Sequence, residues 1–132
     1  MDWDLWSKAT SIEAFKDCVF DKIEGEAGDD ELKFFVNGVE RFRMYHSQDC
    51  CETVQIEDIC GDLEDLIGSP IIEAEEVSIE GAEPPEYADS YTWTFYKLGT
   101  IKGHVTIRWL GESNGYYSES VDIADMQKEA SN

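Results

Sequence analysis

The sequence has few basic residues and no long apolar run. Ten Lys and Arg stand against thirty Asp and Glu, which gives a formal net charge of −20. Nucleic acid and anionic membranes repel a chain of this charge, so we expect direct binding to neither. No stretch reaches the ~18 apolar residues typical of a membrane-spanning helix. The start of the chain, MDWDLWSKAT, also lacks the basic and apolar regions of a secretion signal.

Cysteine and proline are also scarce, with four and three residues respectively. Because nothing in the sequence indicates secretion, we expect a cytoplasmic protein whose four cysteines are free thiols. A vicinal disulfide between the adjacent Cys50 and Cys51 is the alternative, but it needs an oxidising partner. The motifs of phosphate-binding loops, serine hydrolases and zinc proteases are absent. We therefore expect neither enzymatic activity nor a cofactor.

Aromatic residues are plentiful, with four Trp, six Tyr and six Phe. They supply enough apolar surface for a packed core in spite of the charge. A chain of 132 residues is close to the commonest domain size, so we expect a single domain over 1–132. We divide it into an N-terminal helix with a lead-in strand (1–29), a core (30–123) and a frayed polar tail (124–132).

The clearest predicted element is a β-hairpin over 31–46. Asn37-Gly38 is the preferred dipeptide of a two-residue hairpin turn, and the residues on either side alternate between apolar and polar. We expect four inward-facing apolar side chains: Leu32, Phe34, Phe42 and Met44. His46 follows the same alternation as Phe42 and Met44. The sequence therefore also allows His46 to be a hydrogen-bonded histidine in the core.

Two short helices are predicted. A capping pattern that starts at Thr10 and ends at Glu13 predicts a helix over 11–18. The spacing of apolar residues predicts a second helix over 58–67.

Alternating patterns predict further strands over 71–79 and through the C-terminal third. In the strand that begins at Tyr91, we expect Tyr91, Trp93 and Phe95 to face the core, and in a later strand Val105, Ile107 and Trp109 to share one face. The predicted fold class is therefore α+β, with a curved, mainly antiparallel sheet of about six or seven strands and two short helices.

Three long blocks of sequence carry a resemblance to a known family. They run from Arg43 to Ile71, from Ser90 to Leu98 and from Val105 to Val121. Together they resemble a family of small acidic bacteriophage and prophage proteins that is known only as a domain of unknown function. The resemblance covers roughly residues 30–123 and leaves out the N-terminal stretch. It implies a phage-type origin and assigns no activity.

Between Arg43 and Lys97 the sequence contains fourteen acids and no Lys or Arg. Such a run is most often a solvated face. The functional interpretation is an acidic surface that binds and modulates a basic host protein, including a nucleic-acid-binding one, as a counter-defence factor or DNA-mimic inhibitor. The acids predicted to contact that partner are Glu57, Asp58, Asp62, Glu64, Asp65, Glu73, Glu75 and Glu76.

Two other interpretations remain open at this stage. One is a small-ligand or metal site, for which the weak metal-ligand candidates are His46, Cys50, Cys51 and Cys60. Adjacent cysteines in an extended segment point in opposite directions, which argues against a metal. The candidate ligand patch consists of Tyr96, Arg108, Tyr116 and Tyr117. The other interpretation is an acidic immunity-type protein that neutralises a basic toxin. The sequence leaves the oligomeric state unknown.

Overall fold

The computed structural model describes residues 5, 7–80, 90–115 and 117–128. Within these ranges the chain forms eight β-strands and two short 3₁₀ helices, η1 (Ile12–Phe15) and η2 (Leu63–Leu66). The strands are β1 (Lys22–Glu24), β2 (Glu31–Val36), β3 (Val39–Tyr45), β4 (Thr53–Cys60), β5 (Glu73–Glu80), β6 (Ser90–Thr100), β7 (Gly103–Ser113) and β8 (Asp122–Asp125). In this part of the chain neither helix has the length and apolar character needed to cross a membrane.

The strands form two antiparallel sheets of four strands each. The first sheet has the order β1-β2-β3-β8, and the second has the order β4-β7-β6-β5. The prediction of mainly antiparallel structure is confirmed, but the single curved sheet of an α+β fold is wrong. The chain leaves the first sheet after Tyr45 and enters the second at Thr53, where β4 pairs with β7 instead of with β3. Each sheet has an apolar face, and side chains from both form one core.

The predicted helix over 58–67 is replaced by the end of a strand and a single turn. Strand β4 continues to Cys60 because its backbone pairs with β7, and only η2 follows. Gly61 lies between the two at a φ of 109°, and a Cβ there would lie 2.6 Å from the carbonyl oxygen of His104. A helix cannot continue through that conformation, which only glycine adopts readily.

The predicted helix over 11–18 is also shorter than expected. Only η1 forms, and the side chain of its N-cap, Ser11, makes no capping hydrogen bond. The capping pattern at Thr10 therefore does not operate. Asp17, at a φ of 70°, turns the chain away two residues after η1. So short a segment gains little from helical hydrogen bonds, and its position depends on the packing of its side chains.

The predicted hairpin over 31–46 is confirmed. Strands β2 and β3 pair around Asn37 and Gly38, whose φ angles of 53° and 77° are those of a two-residue hairpin turn. The backbone N–H of Gly38 also donates to a carboxylate oxygen of Asp21 over 2.8 Å. All four side chains predicted to face inward are fully buried.

Both ends of the described chain pack into the first sheet. Phe15 of η1 is fully buried and stacks on Phe42 with a centroid distance of 4.3 Å. Its ring also meets the edge of Phe34, with the centroids 4.9 Å apart. At the other end, Ala124 is fully buried in β8, so the frayed tail predicted from residue 124 starts too early. The backbone N–H of Met126 still donates to the carbonyl of Arg41 over 2.7 Å.

The two faces of β6 are the reverse of those predicted. Val105, Ile107 and Trp109 of β7 are buried as expected, and in register they oppose Leu98, Tyr96 and Thr94 of β6. Residues directly opposite each other share a face of the sheet. The even-numbered residues of β6 therefore face the core, whereas Tyr91, Trp93 and Phe95 lie half-buried on the outer face.

We predict that Phe15→Ala lowers the free energy of unfolding by about 3–5 kcal/mol, the usual cost of removing a buried aromatic ring. Chemical denaturation measures this change. Val39→Ala is the control, since Val39 is 53% exposed and its truncation should cost less than about 0.5 kcal/mol. Equal effects of the two substitutions would mean that η1 is not part of the cooperative core.

Candidate functional site

The outer face of the second sheet carries an apolar strip that crosses three strands. We define this apolar strip as Val77, Ile79, Trp93, Phe95 and Leu110. In register, Val77 lies opposite Phe95, and Ile79, Trp93 and Leu110 form one row. Ile79 is 40% exposed, and the other four side chains are half-buried. The strip therefore presents aromatic and aliphatic surface to solvent.

Carboxylates flank the apolar strip on both edge strands. Glu73 and Glu75 lie on β5 and share the outward direction of Val77, because alternate residues of a strand point to the same side. On β4, Glu57 and Asp58 both approach the guanidinium group of Arg108, which lies on the outer face. We call these four acids the flanking acids.

Arg108 links the flanking acids of β4 to the apolar strip. Its Nε donates to Glu57 Oε2 over 2.5 Å, and its Nη2 lies 3.9 Å from Asp58 Oδ2. The central carbon of the Arg108 guanidinium group, Cζ, lies 5.4 Å from the ring centroid of Trp93. A cation over an indole ring is attracted to the face of that ring. Arg108 therefore holds Trp93 and the β4 carboxylates in a fixed relation to each other.

The remaining acids predicted to bind a partner lie elsewhere. Asp62 caps η2, where its Oδ1 accepts a hydrogen bond of 3.0 Å from the backbone N–H of Glu64. Asp65 follows in the same turn, and its backbone carbonyl accepts from the hydroxyl of Thr100. Glu76 points to the opposite side of β5 from the flanking acids. The eight acids therefore do not form one continuous surface.

The predicted ligand patch is not assembled. Tyr96 is fully buried in the core, and Arg108 lies on the outer face of the sheet. Tyr117 lies in the segment before β8, and Tyr116 is outside the described residues. The prediction failed because it placed the even-numbered side chains of β6 on the solvent side.

The weak metal candidates are separated. Cys60 is exposed near the end of β4, with its Sγ 3.4 Å from Asp58 Oδ2. Cys50 and Cys51 are joined by a vicinal disulfide, so the expectation of four free thiols is wrong. That expectation rested on the absence of a secretion signal. The extended segment that was assumed in the argument against a metal is not formed either, since the chain bends at both cysteines. Across the described ranges, no three His, Cys, Asp or Glu side chains converge as a metal site would require.

His46 is instead a hydrogen-bonded core histidine, the alternative that its phase in the hairpin allowed. Its Nε2 lies 2.6 Å from Glu52 Oε2, and its Nδ1 lies 2.7 Å from the carbonyl oxygen of Ser120. The side chains of His46 and Glu52 are 2% and 0% exposed. Both partners of the ring are hydrogen-bond acceptors, so the ring donates to both only in its protonated form.

The carboxylate of Glu52 is satisfied by several donors. Besides His46, the backbone N–H groups of Asp49 and Cys50 each donate to it over 3.0 Å, and Gln48 Nε2 donates over 3.1 Å. Burial raises the pKa of Glu52, but the hydrogen bonds from His46 and the two backbone amides outweigh it and lower the pKa to about 2. The carboxylate therefore stays ionised inside the protein.

Comparison with known proteins confirms the resemblance to a family known only as a domain of unknown function. The model of a domain of unknown function, DUF7448, matches residues 5–123. The chain belongs to the DUF7448 family. The match starts well before residue 30, so the N-terminal stretch that the resemblance left out is part of the DUF7448 domain. No curated protein and no solved structure shows significant similarity to the chain.

The apolar strip of this DUF7448 domain was missed because its aromatic residues were assigned to the core. One signal in the sequence could have corrected this. In β5, Val77 and Ile79 alternate with Glu76 and Ser78. Once the register with β6 is known, this alternation places a row of apolar side chains on the outer face beside β6. The register itself, in which Val77 lies opposite Phe95, is a property of the paired strands that the pattern of either strand alone does not provide.

We predict that the DUF7448 domain loses stability as the pH falls from about 4.5 towards 2, partly through protonation of Glu52. A carboxyl group with a lowered pKa stabilises the fold above its ordinary pKa of 4.5, and this contribution disappears as the pH falls to the folded value. Glu52→Gln should lower the free energy of unfolding by about 1–3 kcal/mol at pH 7. The difference in free energy of unfolding between this variant and the wild type should shrink as the pH falls through this window.

Denaturant titrations at several pH values measure this effect. Glu26→Gln serves as the control, because Glu26 is exposed and its substitution removes the same charge. A difference between wild type and Glu52→Gln that stays constant from pH 7 to pH 2 would contradict the assigned role of the carboxylate.

Proposed function

We propose that this protein is a non-enzymatic binding module that docks a basic partner protein on the outer face of its second sheet and thereby modulates that partner. The observation that carries the proposal is the apolar strip with carboxylates along both edges. Protein interfaces have a desolvated centre rich in aromatic residues and Arg, surrounded by a polar rim. The strip with Trp93, Phe95 and Arg108 has that composition, and the flanking acids supply the rim.

The charge of the surface favours a basic partner over a second copy of the chain. In a symmetric dimer through this face, the flanking acids of one copy would approach those of the other. Repulsion between two chains that each carry a net charge of −20 adds to this cost. A partner with Lys or Arg around an apolar centre meets no such penalty and is attracted at long range.

The distribution of the flanking acids supports a compact docking surface more than a DNA mimic. The two acidic edges lie on β4 and β5, which are separated by β7 and β6. Three strand spacings of about 4.8 Å place these edges roughly 14 Å apart. A duplex mimic needs rows of carboxylates over several base pairs, at one charge per about 1.7 Å of helix axis. We therefore favour a partner that buries the apolar strip and uses the acids for orientation.

The resemblance to phage proteins suggests what kind of partner to seek. We propose that the partner is a bacterial protein in the cytoplasm of a host cell and that binding inhibits or redirects it. This step rests on the resemblance, whereas the docking surface rests on the structure.

The first test is capture of the partner from a bacterial lysate on the immobilised protein, followed by affinity measurement with the purified partner. We expect Trp93→Ala to weaken binding by at least about 30-fold, which corresponds to the roughly 2 kcal/mol of an interface hot spot. Glu73→Gln/Glu75→Gln should weaken binding at low salt and have less effect at high salt, because ions screen the attraction.

The matched control is Glu13→Gln/Glu26→Gln, which removes the same two charges from exposed positions outside this face. Thermal melts verify that each variant is folded. Equal losses in the two charge variants would indicate attraction by net charge alone. Full affinity in Trp93→Ala and in Glu73→Gln/Glu75→Gln would exclude the outer face as the docking surface.

A further inference from the structure

A second concave site lies on the inner face of the second sheet, beyond the apolar core. It is a groove of about 610 Å³ between the ends of β5 and β6 and the segment 117–121. Eight of its eleven described lining residues carry a hydroxyl group, two are glutamates, and none is Lys, Arg or His. We call it the hydroxyl groove. Its volume is within the range of about 300–1,000 Å³ that is usual for small-molecule sites.

The outer wall of the hydroxyl groove is held in place by side-chain hydrogen bonds. Glu119 is only 9% exposed, and its two carboxylate oxygens accept from Thr92 Oγ1 at 2.8 Å and Ser113 Oγ at 2.5 Å. The next residue, Ser120, accepts from His46 through its carbonyl. Gly111 permits this close approach, because a Cβ there would overlap the backbone of Glu119. The wall is therefore fixed before any ligand binds.

The floor of the groove contains polar groups at a place where the inner face is otherwise apolar. Along β6, Leu98 and Tyr96 belong to the core, whereas Thr94 and Thr92 line the groove. The hydroxyl group of Tyr96 is buried and has no hydrogen-bond partner of normal geometry among the described residues. Its neighbour across β5 is Glu76, which lines the groove. Burial and the nearby carboxylate of Glu76 raise the pKa of the Tyr96 phenol, so this hydroxyl group already has a polar neighbour at the edge of the groove.

The chemistry of the lining selects an uncharged ligand that is rich in hydroxyl groups. The described lining has two carboxylates and no cationic side chain, so it repels an anion. Hydroxyl groups both donate and accept hydrogen bonds, so they pair best with a ligand that does the same. An amine would satisfy the carboxylates but would offer no acceptor to the hydroxyl donors. Tyr117 adds a phenol ring, whose flat apolar face suits the C–H face of a sugar ring.

We propose that the hydroxyl groove binds a neutral saccharide. The hydroxyl groups and the carboxylate of Glu76 pair with the sugar hydroxyl groups, and Tyr117 packs against a ring face. This site is separate from the docking surface, since it uses the opposite side of β6.

Nuclear magnetic resonance titration of the ¹⁵N-labelled protein tests the proposal. The probes are glucose, galactose, mannose, N-acetylglucosamine and their common disaccharides at millimolar concentrations. Glucuronate serves as an anionic control and ethylamine as an amine control. We expect at least one neutral sugar to give saturable shifts of amide signals in 76–78, 92–94 and 117–121. Glucuronate should bind more than about tenfold more weakly, because charge repulsion adds about 1.4 kcal/mol or more.

Two variants locate the site. Tyr117→Ala should weaken sugar binding by about fivefold or more, whereas Thr53→Ala, at an exposed position of β4, should change it less than about twofold. Trp93→Ala should retain sugar binding, which separates this result from the test of the docking surface. Absence of saturable shifts with every sugar, shifts with ethylamine alone, or an equal loss in Thr53→Ala would each overturn the proposal.

Discussion

The arrangement of the two sheets depends on the hydrogen bonds made by the buried carboxylate of Glu52. Glu52 directly precedes β4 of the second sheet, and its partner His46 directly follows β3 of the first. The other nitrogen of His46 binds the carbonyl of Ser120, shortly before the chain returns to the first sheet in β8. Burial of an unpaired carboxylate would cost several kcal/mol, and four donors around Glu52 offset that cost. One charge thus connects three segments that pass between the sheets.

With the sheets held in this way, each face of β6 has a different role. Trp93 and Phe95 point outward into the apolar strip, whereas Thr92 and Thr94 point inward to the hydroxyl groove. A shift of one residue in the pairing would exchange the two sets. The buried residues Ile107 and Trp109 of β7 prevent that shift, because they leave the core if the register changes. Both proposed sites therefore depend on the packing of the same strand pair.

Local patterns in the sequence predicted the elements that local interactions determine. The hairpin of β2 and β3 is one, since Asn37-Gly38 fixes both the turn and the register of the strands beside it. The predicted helix over 58–67 failed because pairing with β7, nearly fifty residues later, outweighs the helical spacing of a few apolar residues. The prediction of which face of β6 is buried failed for another reason: alternation along one strand does not say which set of side chains faces the core, and the register with β7 decides it. His46 was in the correct phase, but its partners Glu52 and Ser120 come together only through the tertiary fold.

A double-mutant cycle between His46 and Glu52 tests the central role of this pair most directly. The free energies of unfolding of the wild type, His46→Gln, Glu52→Gln and the double variant are measured at pH 7. If the pair joins the sheets as described, the two substitutions are strongly coupled, with an interaction energy of about 1–3 kcal/mol. Effects that add to within about 0.5 kcal/mol would show that the two side chains act independently and would contradict this account.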